Sequence, residues 1–195
     1  MLRKLVLKNR SYGRFAEDRE VGEKLLKDLV DLSRYAASAG NKQPLKYIIS
    51  CSAEKNAKIF PRLNWPAPPH GSGKPKQGER PAAYIIMLGD REIAEDFGVD
   101  QGIAAQTILL AAVEKELGGC MLGSLDREGL RRVLEIPYRF DILLVLALGT
   151  PAETVIIEDA GSEGYVDYWR DKQAVYHVPK RSLEEIILKP DDPPL

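Results

Sequence analysis

The chain has 195 residues, and its 44% hydrophobic content is enough to build one sizeable core with extended arms. Its net charge of −1 lacks the broad basic field expected of a protein that works on nucleic acid. No apolar run approaches the roughly 20 residues that span a bilayer, and two cysteines do not make a disulfide scaffold, so the expected setting is a reducing cytoplasm with no membrane partner.

Met1 to Lys8 has an apolar core shorter than a signal peptide's, with no small-residue cleavage pattern behind it. Asn9-Arg10-Ser11-Tyr12-Gly13-Arg14-Phe15 follows and brings two guanidiniums and a hydroxyl close together, which suits a group with several anionic oxygens. Asp18 to Ala37 reads as a helix, because Val21, Leu25, Leu29, Leu32 and Tyr35 recur at spacings of three and four. Gly40 ends it, inside Ser38-Ala39-Gly40-Asn41-Lys42-Gln43-Pro44. That segment offers a hydroxyl and two carboxamides, which suit a flat heterocycle with amide-like edges. A phosphorylated planar cofactor such as a flavin nucleotide would use both segments.

Leu45 to Ser50 reads as a short strand and Ala53 to Ile59 as a helical stretch. From Pro61 to Pro81 six prolines and three glycines forbid a long helix or a central strand. Trp65 within this loop points to packing, either as a pocket wall or as plain surface. Ala82 to Leu88 is a buried strand by composition, and Asp100 to Leu117 is a helix apolar nearly all round, suited to a core or a subunit interface. Gly118-Gly119 should terminate that helix. Gly119 to Ser124 reads as a short strand or turn, Arg127 to Leu134 as a helix opened by Asp126, and Ile142 to Leu148 as a strand closed by Gly149. Beyond Pro151 no core-building period appears. The tail holds Tyr165, Tyr168 and Trp169, the basic pair Lys180-Arg181, and an apolar Leu183 to Leu188, and must dock on its own body or on a partner.

This order suggests an α+β sandwich rather than a doubly wound sheet, since no G-x-G-x-x-G follows a strand. His70 and His177 stand apart from any Cys or carboxylate at ligand spacing, which argues against a metal site. Cys51 and Cys120 read as small buried apolar residues. The sequence singles out no general acid or base, and an enzyme whose cofactor carries the chemistry does not require one.

On these motifs the chain resembles the nitroreductase family of flavin-dependent NAD(P)H oxidoreductases over essentially its whole length. Arg10-Ser11 and Phe15 match the family's N-terminal Arg-Ser-x-Arg-x-Phe, with Gly13 where its second Arg would fall and Arg14 one place later. Ser38, Asn41, Gln43 and Pro44 match Ser-x-x-Asn-x-Gln-Pro. The segments Gly119 to Ser124 and Pro179 to Ile186 are similar to the family's small-residue strand and its C-terminal basic segment.

The resemblance implies an α-β-α sandwich with a mainly antiparallel sheet, one domain over residues 1–195, in an intertwined homodimer. The helix Ile103 to Leu117 would form much of the dimer core, and an arm from about Ala152 would embrace the partner. It implies FMN held at its phosphate by Arg10, Ser11 and Arg14 with Lys180 or Arg181. Ser38, Asn41 and Gln43 would reach the FMN bound mainly by the other subunit. Gly123 or Ser124 would offer an N–H near flavin N5, and Trp65 would shape the substrate pocket. NADH or NADPH would deliver a hydride to N5, and a nitroaromatic, quinone, enone or flavin would take the electrons in a ping-pong cycle. A flavin-binding sensor or carrier without NAD(P)H turnover and a non-flavin interaction module are the alternatives.

Overall fold

Eight consecutive buried residues, Ala83 to Asp90, set the architecture. In the computed structural model, which describes residues 1–65, 73–161 and 164–188, they form β2 (Ala83–Asp90). Together with β1 (Leu45–Ser50), β3 (Gly118–Leu122) and β4 (Phe140–Gly149) it makes an antiparallel sheet of order β1-β2-β4-β3. The strand period of two sends Tyr84, Ile86 and Leu88 to one face and Ala83, Ile85 and Met87 to the other. Helices α3 (Ala53–Ile59) and α5 (Arg127–Leu134) cover the first face through Ile59 and Leu130. Helices α2 (Glu23–Ser33) and α4 (Asp100–Glu114) cover the second through Leu26, Leu29, Ala105 and Ile108. The expected α+β sandwich with a mainly antiparallel sheet is therefore the observed fold, and α4 lies on the sheet as a core helix.

Element ends differ from the sequence reading for local reasons. Helix α2 starts only after Gly22, whose backbone is extended, and ends at Ser33, whose hydroxyl turns back onto the Val30 carbonyl at 2.7 Å. Helix α4 stops at Glu114 rather than Leu117, because Glu116 takes a left-handed φ of 61° and reverses the chain. Gly118 and Gly119 already belong to β3. Their role is close approach: a Cβ on Gly118 would sit 2.4 Å from the Tyr12 ring and 2.6 Å from Pro151. Helix α1 (Leu2–Lys8), not expected from the sequence, lies against α4 with Leu2, Val6 and Leu7 exposed. Of the proline-rich loop, Phe60 to Arg62 form a 3-10 turn, whereas 66–72, including His70, lie outside the described residues. No helix among the described residues is long and apolar enough to cross a membrane.

The described residues divide into two compact units, and the sheet with its helices makes the larger. The smaller, from Glu153 onward, contains β5 (Val155–Asp159), β6 (Trp169–Arg170), β7 (Tyr176–Lys180) and α6 (Leu183–Ile186). Its sheet has the order β5-β7-β6, with β5 and β7 parallel. Strands this short and half-exposed give no readable period, which is why the sequence showed only a tail. Ser182 and Glu185 close α6 with a reciprocal capping box. His177, isolated in sequence, is not isolated in space. Its Nδ1 bonds the Glu158 carboxylate, its Nε2 lies 3.3 Å from Asp171 Oδ2, and the Trp169 ring stacks on it at 3.8 Å. The bond to Glu158, helped by Asp171, raises the imidazole above its ordinary value of 6.5.

Two outcomes follow from these contacts. Gly118→Ala should destabilise the larger unit by about 1–3 kcal/mol, read by denaturant unfolding, because the Tyr12 ring and Pro151 already fill the added methyl's position. Because the folded-state value of His177 is raised, its stabilising contribution is complete below the unfolded value and is lost as pH rises through the folded one. Amide protection in β5 and β7, taken relative to the intrinsic exchange rate at each pH, should therefore fall over that alkaline-going window, and His177→Gln should remove this fall.

Candidate functional site

The segment from Arg10 to Phe15 is fastened along β3 and the end of β4. Ser11 bridges Gly119 in parallel, the Tyr12 N–H donates to the Gly119 carbonyl at 3.1 Å, and Phe15, fully buried, bridges Pro151. Arg10 donates from Nη2 to the Val6 carbonyl at 2.8 Å, while its buried Nε has no hydrogen-bond partner among the described residues. Beside it Ser11 is exposed. Arg14 is placed differently: it is 9% exposed, and its Nε lies 3.1 Å from Glu79 Oε2.

The segment Ser38 to Gln43 is a turn built on three left-handed residues, Gly40, Asn41 and Gln43. Ser38 Oγ donates to Asp100 Oδ2 at 2.6 Å and accepts the Gln43 N–H at 2.9 Å, and the Ala39 N–H donates to Asp100 Oδ1 at 3.0 Å. The Asp100 carboxylate, in the first turn of α4 and 4% exposed, is thereby satisfied. A non-glycine residue in the left-handed region costs on the order of 1–2 kcal/mol. A hydrogen bond to a charged group returns about 1.5–3 kcal/mol, so the Asp100 bonds can hold the turn. Gln43 Nε2 donates to Asn41 Oδ1 at 3.1 Å, so the two exposed carboxamides sit side by side. A cleft of about 290 Å³ opens next to this turn, walled by Ala39, Pro44 and Phe97.

At the far end of β3, Gly123 and Ser124 are exposed, and a Cβ built on Gly123 meets no heavy atom within 4 Å. Asn64 donates its backbone N–H to the Ser124 carbonyl at 3.1 Å and its Nδ2 to Ser124 Oγ at 3.2 Å. Next to it, Trp65 packs on the core with its ring 6.0 Å from that of Phe60, and its buried indole N–H has no partner among the described residues. Strand β3 thus joins the Arg10–Ser11 segment to Gly123–Ser124. No hydrogen bond or ion pair among the described residues links the Ser38–Gln43 turn to Arg10 or Ser11. Lys180 and Arg181 belong to the smaller unit, where Arg181 Nη1 lies 3.3 Å from Glu185 Oε1.

The profile of the nitroreductase family matches residues 6–150. The chain belongs to the nitroreductase family. A protein of Methanothermobacter thermautotrophicus, provisionally named NADH dehydrogenase/NAD(P)H nitroreductase, is 34% identical over 153 residues, 75% of this chain and 76% of that one. Among solved structures, a nitroreductase family protein from Streptococcus pneumoniae TIGR4 superposes with a TM-score of 0.71 at 18% identity, covering 97% of this chain and 100% of that one. An FMN-dependent nitroreductase from Clostridium difficile R20291 does so with a TM-score of 0.61 at 22% identity, covering 75% and 86%.

In this member of the nitroreductase family, sequence reasoning missed Asp100 and Glu79, each of which holds a motif residue in place. Asp100 lies 62 positions from Ser38, so no local spacing signals the pair. The one available hint was an acidic residue opening an otherwise apolar helix. Ser38→Ala should cost about 1–3 kcal/mol in denaturant unfolding, because a buried carboxylate loses a donor. It should also speed amide exchange at Gln43, whose N–H loses its acceptor.

Proposed function

We propose that the protein is a homodimeric FMN-dependent oxidoreductase that takes electrons from NADH or NADPH and passes them to a small organic acceptor. The observation that carries this reading is the unpartnered Nε of the Arg10 guanidinium beside the exposed Ser11 hydroxyl, at one end of a strand whose other end opens at Gly123. Gly119 and Gly123 are four strand positions apart, ~13 Å at the ordinary rise, a separation comparable with the length of a mononucleotide. The residues present therefore fit the cofactor. When bound, FMN supplies the two-electron chemistry, accepting a hydride equivalent from the nicotinamide and returning electrons to the acceptor.

The chain's own groups bind, orient and shield. Arg10 and Ser11 hold the phosphate through charge-assisted hydrogen bonds. Arg14, engaged by Glu79, serves mainly to anchor the motif on the fold. Gly123 lets the isoalloxazine edge approach the backbone, where the N–H of Gly123 or Ser124 is the donor. Asn41 and Gln43, preset by Asp100, reach the cofactor of the partner subunit, and Trp65 walls the acceptor pocket. Exposed apolar side chains on α1 and at Val99 and Ile103 supply a surface for a second copy, and the C-terminal unit is the arm that holds it. An FMN-dependent structural relative and provisionally named NAD(P)H nitroreductase homologues support this reading.

Arg10→Ala should weaken FMN binding about ten- to a hundredfold by fluorescence titration, the loss expected for a hydrogen-bonded charge. Unchanged affinity would remove Arg10 from the phosphate site. Anaerobic addition of NADH or NADPH to the wild-type holoprotein should bleach its yellow colour. Persistent absorbance with both would sink the reductase reading and leave a flavin carrier or sensor.

A further inference from the structure

We propose that Arg80 and the Trp65 indole form an anion-recognising subsite that selects planar aromatic acceptors carrying a monoanionic substituent such as a carboxylate. The inference rests on the reading above, in which reduction takes place beside Gly123 and Ser124.

The Arg80 guanidinium carbon lies 4.7 Å from the centre of the Phe60 ring. Its Nε is buried without a hydrogen-bond partner, and the side chain makes no ion pair within 4.0 Å among the described residues. The Trp65 ring shares the same Phe60 neighbour at 6.0 Å, and its indole N–H is likewise buried and unpartnered. A third buried donor without a partner, Arg62 Nε, lies three positions before Trp65, although Arg62 Nη1 reaches Asp126 Oδ2 at 3.2 Å. Buried donors in native proteins find acceptors, and Arg80 Nε and the Trp65 indole N–H, both beside the Phe60 ring, have none among the described residues. A carboxylate supplies what they lack, since it accepts from a guanidinium fork and from an indole N–H at once.

The location ties the group to both ends of the proposed site. Glu79, adjacent to Arg80, pairs with Arg14 and accepts the Phe15 N–H on its carbonyl at 3.0 Å. Asn64, adjacent to Trp65, is bonded to Ser124. The surroundings also favour a monoanion on an aromatic ring over a second phosphate. The carboxylate of Glu17, 3.4 Å from the Arg80 backbone nitrogen, and that of Glu79 would repel a dianion more strongly, whereas Phe60 and Trp65 offer apolar faces to a ring.

The test compares 4-nitrobenzoate with the neutral 4-nitrobenzyl alcohol as acceptors for the FMN-loaded enzyme. Wild type should favour the anion in kcat/KM by about tenfold, the preference should vanish in Arg80→Met, and the neutral acceptor should change less than twofold. Arg80→Lys, which keeps the charge but not the fork, should retain part of the preference. Equal use of both acceptors by wild type, or an unchanged preference in Arg80→Met, overturns the proposal. So does a loss of FMN affinity in Arg80→Met comparable with that of Arg10→Ala, which would move the cation to the phosphate site. A second readout is independent of turnover. In a Trp169→Phe background Trp65 is the remaining tryptophan of the two, and sodium benzoate, but not benzyl alcohol, should change its emission saturably. That change should be lost when Arg80→Met is added. If neither acceptor is reduced, the proposed function fails while the benzoate titration still decides the subsite: a saturable, Arg80-dependent change upholds it and its absence overturns it.

Discussion

A strand with no exposed residue governs this molecule. Because β2 is buried at all eight positions, both faces of its sheet must be covered, and two helices on each side satisfy that demand. The sheet's order leaves β3 at an edge, where unpaired backbone groups would invite association with another chain. The Arg10–Phe15 segment runs against that edge through Ser11, Tyr12 and Gly119. The proposed phosphate-binding motif and the protection of the sheet edge are therefore one piece of chain. Glycine at 118 is the condition for it, since a side chain there would meet the Tyr12 ring and hold the segment off.

The sandwich was legible from the sequence because its central strands are continuous apolar runs and α4 is apolar almost all round. The element ends were not. Gly118-Gly119 looks like a helix terminator, yet its conformational freedom is not what the fold uses, and the reversal falls on Glu116 instead. The C-terminal unit was illegible for another reason. Strands of two to five residues, paired partly in parallel, carry too little period to be read and owe their order to contacts such as those of His177.

The motif residues were legible as a group, and their supports were not. Ser38, Asn41 and Gln43 stand within six positions of each other, but the carboxylate that shapes their turn comes from another helix. Similarly, Arg14 reads as a cation awaiting a phosphate until Glu79 is placed beside it. Sequence motifs display the groups that would meet a ligand. The partners that fix those groups are chosen by the fold, often from distant chain segments.

That distance bears on how the protein comes into being. The residues at 11 and 15 find their partners at Gly119 and Pro151, more than a hundred positions later. Contacts of such separation carry the largest loop-closure cost and form late in folding. On a ribosome the first motif to emerge would wait, unpaired, until nearly the whole sheet had been synthesised. Holding of a cofactor at this edge would then be among the last properties the chain acquires, and it would serve as a check that the sheet beneath had closed correctly.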